Sequence, residues 1–202
     1  MGRETRESIV AETIRGKNVL DVGCIGRDAD REANPAWLHH IVRKHARRVI
    51  GLDKDERGVQ ALCRKGYSIL HGDAEMVTLG EEFDCIVAGE VIEHLSNPGL
   101  FLRNMKRHLV PGGALILTTP NAFYPKLVWE VLRYGRVSLN HEHTCWYCPG
   151  TLRHLLSREG FTEVAMHYVT DSTRYWGLGR LPGYLRQWFC KTLVVVARAG
   201  VR

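Results

Sequence analysis

The chain has 202 residues, 45% of them apolar and 25% charged, with a formal net charge of +6 at pH 7. Those proportions exclude fibrous, collagenous, disordered and disulfide-scaffold classes and suit one globular domain with a core of its own. The charge is a mild lean towards anionic partners. No separate basic module of the kind that binds nucleic acid is visible, so no nucleic-acid partner is expected.

The most apolar runs, Ala114 to Thr118 and Thr192 to Ala197, fall far short of the ~20 residues that a bilayer requires. The opening Met1-Gly-Arg-Glu-Thr-Arg-Glu-Ser8 is charged and leads into no apolar segment of a secretory signal. Cys24, Cys63, Cys85, Cys145, Cys148 and Cys190 therefore read as reduced thiols of a cytoplasmic protein.

Two periodicities alternate along the chain. The first β-rich run is Asn18 to Val22. Trp37 to His45 is helical, with Trp37, His40, Ile41 and Lys44 on one stripe. A strand over Arg48 to Leu52 precedes a helix over Asp55 to Lys65, which Gly66 stops. Strands follow at Ser68 to His71 and Asp84 to Ala88. The next helix, Pro98 to Leu109, carries Leu100, Phe101, Met105 and Leu109 and ends at Pro111-Gly112-Gly113. A strand over Ala114 to Thr119, a helix over Pro149 to Gly160, and strands over Glu163 to Val169 and Leu193 to Ala197 complete the list. This alternation predicts a doubly wound α/β fold: a mostly parallel seven-stranded sheet with helices on both faces. Cys85-Ile86-Val87-Ala88 and Leu115-Ile116-Leu117 are continuously apolar, as strands covered on both sides are. With no repeat and no linker, residues 1–202 read as a single domain, with insertions near 123–147 and 171–191 on its functional edge.

Open α/β sheets bind ligands beyond the carboxyl ends of their strands. The first strand ends Leu20-Asp21-Val22-Gly23-Cys24, and a glycine there lets backbone approach a ligand. The second ends Gly51-Leu52-Asp53, an acid able to accept from a ribose diol. The third ends Gly72-Asp73-Ala74-Glu75. These three ends in order, with Phe83-Asp-Cys-Ile-Val-Ala-Gly-Glu-Val-Ile-Glu-His-Leu95, Leu109-Val-Pro-Gly-Gly113 and Thr118-Thr-Pro-Asn121, resemble the class I S-adenosylmethionine-dependent methyltransferases. The resemblance covers roughly residues 15–170 and implies a Rossmann-like sheet with S-adenosylmethionine as cofactor. It implies that Asp21 and Gly23 hold the amino-acid end, with Cys24, Lys54 and Glu90 also among the cofactor-binding residues. Asp53, with Lys54 next to it, would take the ribose, and Asp73 and Ala74 the adenine. The family loop reads Asp-x-Gly-x-Gly, whereas Ile25 stands here where the second glycine is expected. A nicotinamide enzyme needs G-x-G-x-x-G, and Gly23-Cys-Ile-Gly26 does not supply it. A binding module that keeps the cofactor and has lost the transfer is the other alternative.

Read as a helical turn, Glu90, Glu93 and His94 stand at i, i+3 and i+4 on one face. Such a group can take a divalent cation such as Mg, or let His94 deprotonate a hydroxyl. Glu-x-x-Glu-His is similar to the segment of the ubiquinone-precursor O-methyltransferases, where the two acids and the histidine are associated with a divalent ion. Leu139-Asn-His-Glu-His-Thr-Cys-Trp-Tyr147 resembles the turn that this group places over its acceptor pocket, which makes His143 a candidate beside Glu93 and His94. His141, His143, Cys145 and Cys148 are too compressed for an ordinary zinc site. The implied activity is O-methylation of a small or medium acceptor: a sugar, a phenol or a natural-product scaffold, glycan- or lipid-linked acceptors included. The aromatic and basic segment 171–191 reads as core packing, as a lid over the acceptor, or as a patch making peripheral membrane contact.

Overall fold

The computed structural model describes residues 4–26, 31–136, 140–170, 182, 185 and 188–200. The strands are β1 (Asn18–Val22), β2 (Arg48–Asp53), β3 (Ile69–His71), β4 (Phe83–Gly89), β5 (Leu109–Pro120), β6 (Phe161–Val169) and β7 (Thr192–Ala199). The helices are α1 (Arg6–Ile14), α2 (Leu38–His45), α3 (Glu56–Arg64), α4 (Pro98–Arg107), α5 (Pro125–Tyr134) and α6 (Pro149–Arg158). One sheet runs in the order β3-β2-β1-β4-β5-β7-β6. No helix among the described residues is long and apolar enough to cross a membrane.

The period-2 pattern of the strands sorts the core into two layers. Leu20, Ile86, Ala88, Leu115 and Leu117 face one way, onto Phe101, Leu102 and Met105 of α4 and Leu152 and Leu156 of α6. Val19, Cys85, Val87, Ala114 and Ile116 face the other way, onto Ile9, Val10 and Ile14 of α1 and Val42 of α2. Because both faces are covered, the strand interiors tolerate no polar alternation. A smaller cluster joins Val59 and Leu62 of α3 to Ile25, Trp37 and Ile69.

Pairing is parallel throughout β3-β2-β1-β4-β5, whereas β7 is antiparallel to both β5 and β6. The sheet is therefore mixed, with β7 the reversed strand.

Other expectations change in detail. Helix α1 was not anticipated. Its start is fixed by reciprocal bonds: the Ser8 N–H donates to Thr5 Oγ1 at 3.1 Å, and the Thr5 N–H donates to Ser8 Oγ at 2.9 Å. Helix α5 falls inside the segment assigned to an insertion. Of the stripe expected from Trp37, His40, Ile41 and Lys44, Trp37, the residue before α2, is buried, whereas within α2 the buried side chains are His39 and Val42. Helix α4 ends at Arg107, and Leu109 already belongs to β5, paired with Phe83. Pro111-Gly112-Gly113 thus bends a strand and does not separate a helix from one. A Cβ on Gly113 would lie 2.9 Å from the Val110 carbonyl oxygen, so the bend needs that glycine.

Candidate active site

The carboxyl ends of β1 and β4 open on a cleft of about 290 Å³, lined by Asp21, Gly23, Ile25, Gly26, Trp37, His39, Gly89, Glu90 and Arg6. Gly23 has φ 68°, and a Cβ there would come within 2.4 Å of Val91 Cγ2. The chain turns sharply at this point only because the side chain is absent. Asp21 is buried, and its Oδ2 accepts from His39 Nδ1 at 2.7 Å. Burial raises the Asp21 carboxyl above the usual range, and the His39 contact works against that rise.

Asp53, at the end of β2, holds the neighbouring loops. Its Oδ2 accepts the Ile25 N–H and its Oδ1 the Asp55 N–H, both at 3.0 Å. A carboxylate has about four acceptor positions, so two are left for a diol. Ile25 is buried at 1% exposure against α3 and Trp37. In place of the second glycine it anchors the loop inward, and the left-handed turn falls at Gly26, with φ 64°. The Cys24 side chain packs away from the cleft, close enough to Gly51 that a Cβ there would lie 2.6 Å from its Sγ. Burial, then Asp21 and Asp53, push the Cys24 thiol far up and keep it neutral. Cys24 therefore meets the cleft through its backbone, whose carbonyl accepts from Trp37 Nε1 at 2.7 Å. Lys54 is exposed. Asp73 Oδ1 accepts the Glu75 N–H at 2.9 Å. Asn104 Nδ2 donates to the Ala74 and Val77 carbonyls, tying this turn to α4.

Glu90, the residue after β4, has φ 55°. Its N–H donates to the Thr118 carbonyl, and Thr118 Oγ1 donates to its Oε1 at 3.0 Å. The following turn is a 3₁₀ segment, Ile92–His94. The i, i+3, i+4 face therefore does not form: Glu90 directly follows the strand. Among the described residues, the three groups whose ligand atoms lie within 4.8 Å of one another are Glu93, His94 and His143. Glu93 is 1% exposed. Its Oε2 accepts from Thr119 Oγ1 at 3.0 Å, and its Oε1 is buried with no hydrogen-bond partner. Burial first, and the Glu90 carboxylate second, push its pKa up to about 8. The 140–146 turn is strapped onto this point, because the Glu93 carbonyl accepts the Thr144 N–H at 2.8 Å. His94 Nδ1 faces the Glu142 carbonyl at 3.1 Å. A carbonyl only accepts, so Nδ1 carries the proton and the lone pair of a neutral ring is at Nε2. The His94 and His143 rings meet edge to face, centroids 4.6 Å apart.

Beside them lies a second cleft of about 240 Å³, lined by Glu93, Thr119, Tyr124, Lys126, Leu127, His143, Trp146 and Lys191 among others. His143 faces it, and His94 stands behind His143. His141, Cys145 and Cys148 join no ligand cluster among the described residues. Of the segment 171–191, only Pro182, Leu185 and residues 188–191 are described, so the lid and membrane-patch expectations lie largely outside the described residues. Arg6, His39, Thr118 and Thr119 escaped the sequence reading. The Thr118-Thr119 pair inside a noted motif was the available signal; Arg6 and His39 offered none at their spacing.

The chain matches the model of the methyltransferase domain family over residues 3–165. It is 36% identical over 160 residues to a "probable S-adenosylmethionine-dependent methyltransferase" of Mycolicibacterium smegmatis, covering 75% of this chain and 54% of that one. It is 29% identical over 120 residues to a ubiquinone biosynthesis O-methyltransferase of Azorhizobium caulinodans, covering 54% of this chain and 42% of that one. The chain thus spans about half the length of these curated relatives. A crystal structure of an N-methyltransferase of Bradyrhizobium japonicum with S-adenosylhomocysteine shares the fold at TM-score 0.61 and 19% identity, covering 96% of this chain and 85% of that one. The chain belongs to the methyltransferase domain family, in the class that uses S-adenosylmethionine.

Proposed function

We propose that this chain moves the methyl group of S-adenosylmethionine to a hydroxyl oxygen of a small or medium acceptor seated in the cleft beside His143. The observation that carries the reading is the meeting of the two clefts: Glu90 lines the first, Glu93 and His143 line the second, and Glu90 and Glu93 are neighbours. Beyond the lining of the first cleft, at the ends of β2 and β3, Asp53 would take the ribose diol and Asp73 with Ala74 the adenine. Asp21 and Arg6 offer an anion and a cation to the ammonium and carboxylate of the methionine end.

The acceptor oxygen attacks the methyl carbon in line with the carbon–sulfur bond. That bond breaks, and its electron pair returns to sulfur, leaving neutral S-adenosylhomocysteine. The acceptor proton passes to His143, with His94 orienting the ring. The sulfonium carries the reactivity, so the protein supplies alignment, water exclusion and proton removal.

The donor set does not suit Mg. The clustered groups Glu93, His94 and His143 offer one carboxylate and two imidazoles, whereas Mg takes oxygen ligands. No step here passes through a metal ion.

The test is release of S-adenosylhomocysteine with a panel of phenols, catechols and glycosides. His143→Ala should lower turnover ~10²-fold or more, and chelator should leave turnover unchanged. His94→Ala should act more weakly and shift the pH dependence of turnover. Cofactor binding with no transfer to any acceptor favours the non-catalytic module. Abolition by chelator, with recovery on adding an ion, overturns the metal-free reading.

A further inference from the structure

Helix α5 is amphipathic in the wrong direction for a core helix. None of its residues is buried. Val128, Trp129, Leu132 and Tyr134 are 53%, 62%, 76% and 64% exposed, whereas the acid Glu130 is turned inward and half-buried. Globular helices ordinarily place the apolar stripe inside and the charge outside. Pro125 at the first turn and Gly135 at φ 65° fix both ends, so this is a built helix presenting an apolar face. Phe123 and Trp188 extend the face, their rings 4.7 Å apart and both exposed.

We propose that this face of α5 docks on an anionic lipid surface, lying in the headgroup layer. Three observations select a bilayer. Trp129, Tyr134 and Trp188 are side chains favoured at a membrane interface. Lys126 pairs with the single acid Glu130 at 3.5 Å, which leaves the exposed Arg133 and Arg136 uncompensated on and just after the helix, so the patch is cationic, as is the chain at +6. A second copy seated on the same face would set like charges against like, because a two-fold interface presents one patch to itself. The N-terminal turn of α5 also lines the second cleft through Tyr124, Lys126 and Leu127. Docking would hold the mouth of that cleft at headgroup level, a consequence that rests on the acceptor reading above. The docking itself does not.

The experiment is sedimentation of the full chain with vesicles of equal parts phosphatidylcholine and phosphatidylglycerol, at low and high salt, against phosphatidylcholine alone. Binding should require phosphatidylglycerol and fade with salt. Leu132→Asp and Trp129→Ser should each lower it ~10-fold or more, with the thermal response to S-adenosylhomocysteine unchanged as proof of fold. Binding that survives both substitutions overturns the proposal and assigns lipid contact to another segment. Absence of vesicle binding, with a dimer in solution that Leu132→Asp dissociates, overturns it in favour of self-association. Vesicle binding by a chain that ignores S-adenosylhomocysteine leaves the docking standing and removes the cofactor reading.

Discussion

Glu93→Gln keeps the shape of a protonated carboxyl and removes its titration. Glu93 is 1% exposed, and Thr119 donates to its Oε2, a bond that the Gln carbonyl can still accept. Burial and the neighbouring Glu90 raise its pKa from 4.5 to about 8. Between those two values the folded protein holds a proton that the unfolded chain has released. The stability contributed by this proton is full below the unfolded value and is lost as pH rises through the folded one. The slope is at most about 1.4 kcal/mol per pH unit. Glu90 and Glu93 titrate as a pair, and the carboxyl borders a cleft that water enters. The loss expected from about pH 5 to about pH 8 is therefore about 2–4 kcal/mol. Urea unfolding of wild type and Glu93→Gln across that window reads it directly. The wild type should lose that amount relative to the variant as pH rises. Parallel profiles would contradict a protonated Glu93, and with it the account of the carboxyl pair.

Two further substitutions probe the first cleft. His39→Ala leaves the buried Asp21 carboxyl without its partner and should cost about 3–5 kcal/mol. Asp21→Ala in the same chain should recover part of that loss, whereas simple additivity of the two would refute the pairing. Gly23→Ala places a methyl against Val91 at a left-handed φ and should cost about 1–3 kcal/mol while weakening S-adenosylhomocysteine. A wild-type melting temperature with wild-type affinity would show that the turn tolerates a side chain.

The parts legible in the sequence were those whose signal is local. Strand, glycine and acid lie within a few residues of one another at Val22-Gly23 and Leu52-Asp53, so the strand ends that carry Asp21, Gly23 and Asp53 could be placed from the sequence, whereas their roles towards a cofactor came only from the resemblance. The buried pair Asp21 and His39 joins residues 18 apart on different elements, and no periodicity marks it. The direction of β7 was hidden because an apolar strand buried on both faces reads the same in either orientation. Glu90, Glu93 and His94 misled for a different reason. Their spacing fits a helical turn, but Glu90, the residue after β4, is held to Thr118 of β5 by three bonds, and the place on the cluster passes to His143, some fifty residues away. Helix α5 escaped because its apolar residues obey helical spacing while facing outward, a fact that only tertiary structure reveals.

The most direct test of the central claim is a crystal structure of the chain with S-adenosylhomocysteine. The account predicts ribose hydroxyls on Asp53, adenine against Asp73 and Ala74, the amino-acid end between Asp21 and Arg6, and sulfur turned towards Glu93 and His143. A saturated crystal with this cleft empty, or with the ligand bound elsewhere, would contradict it.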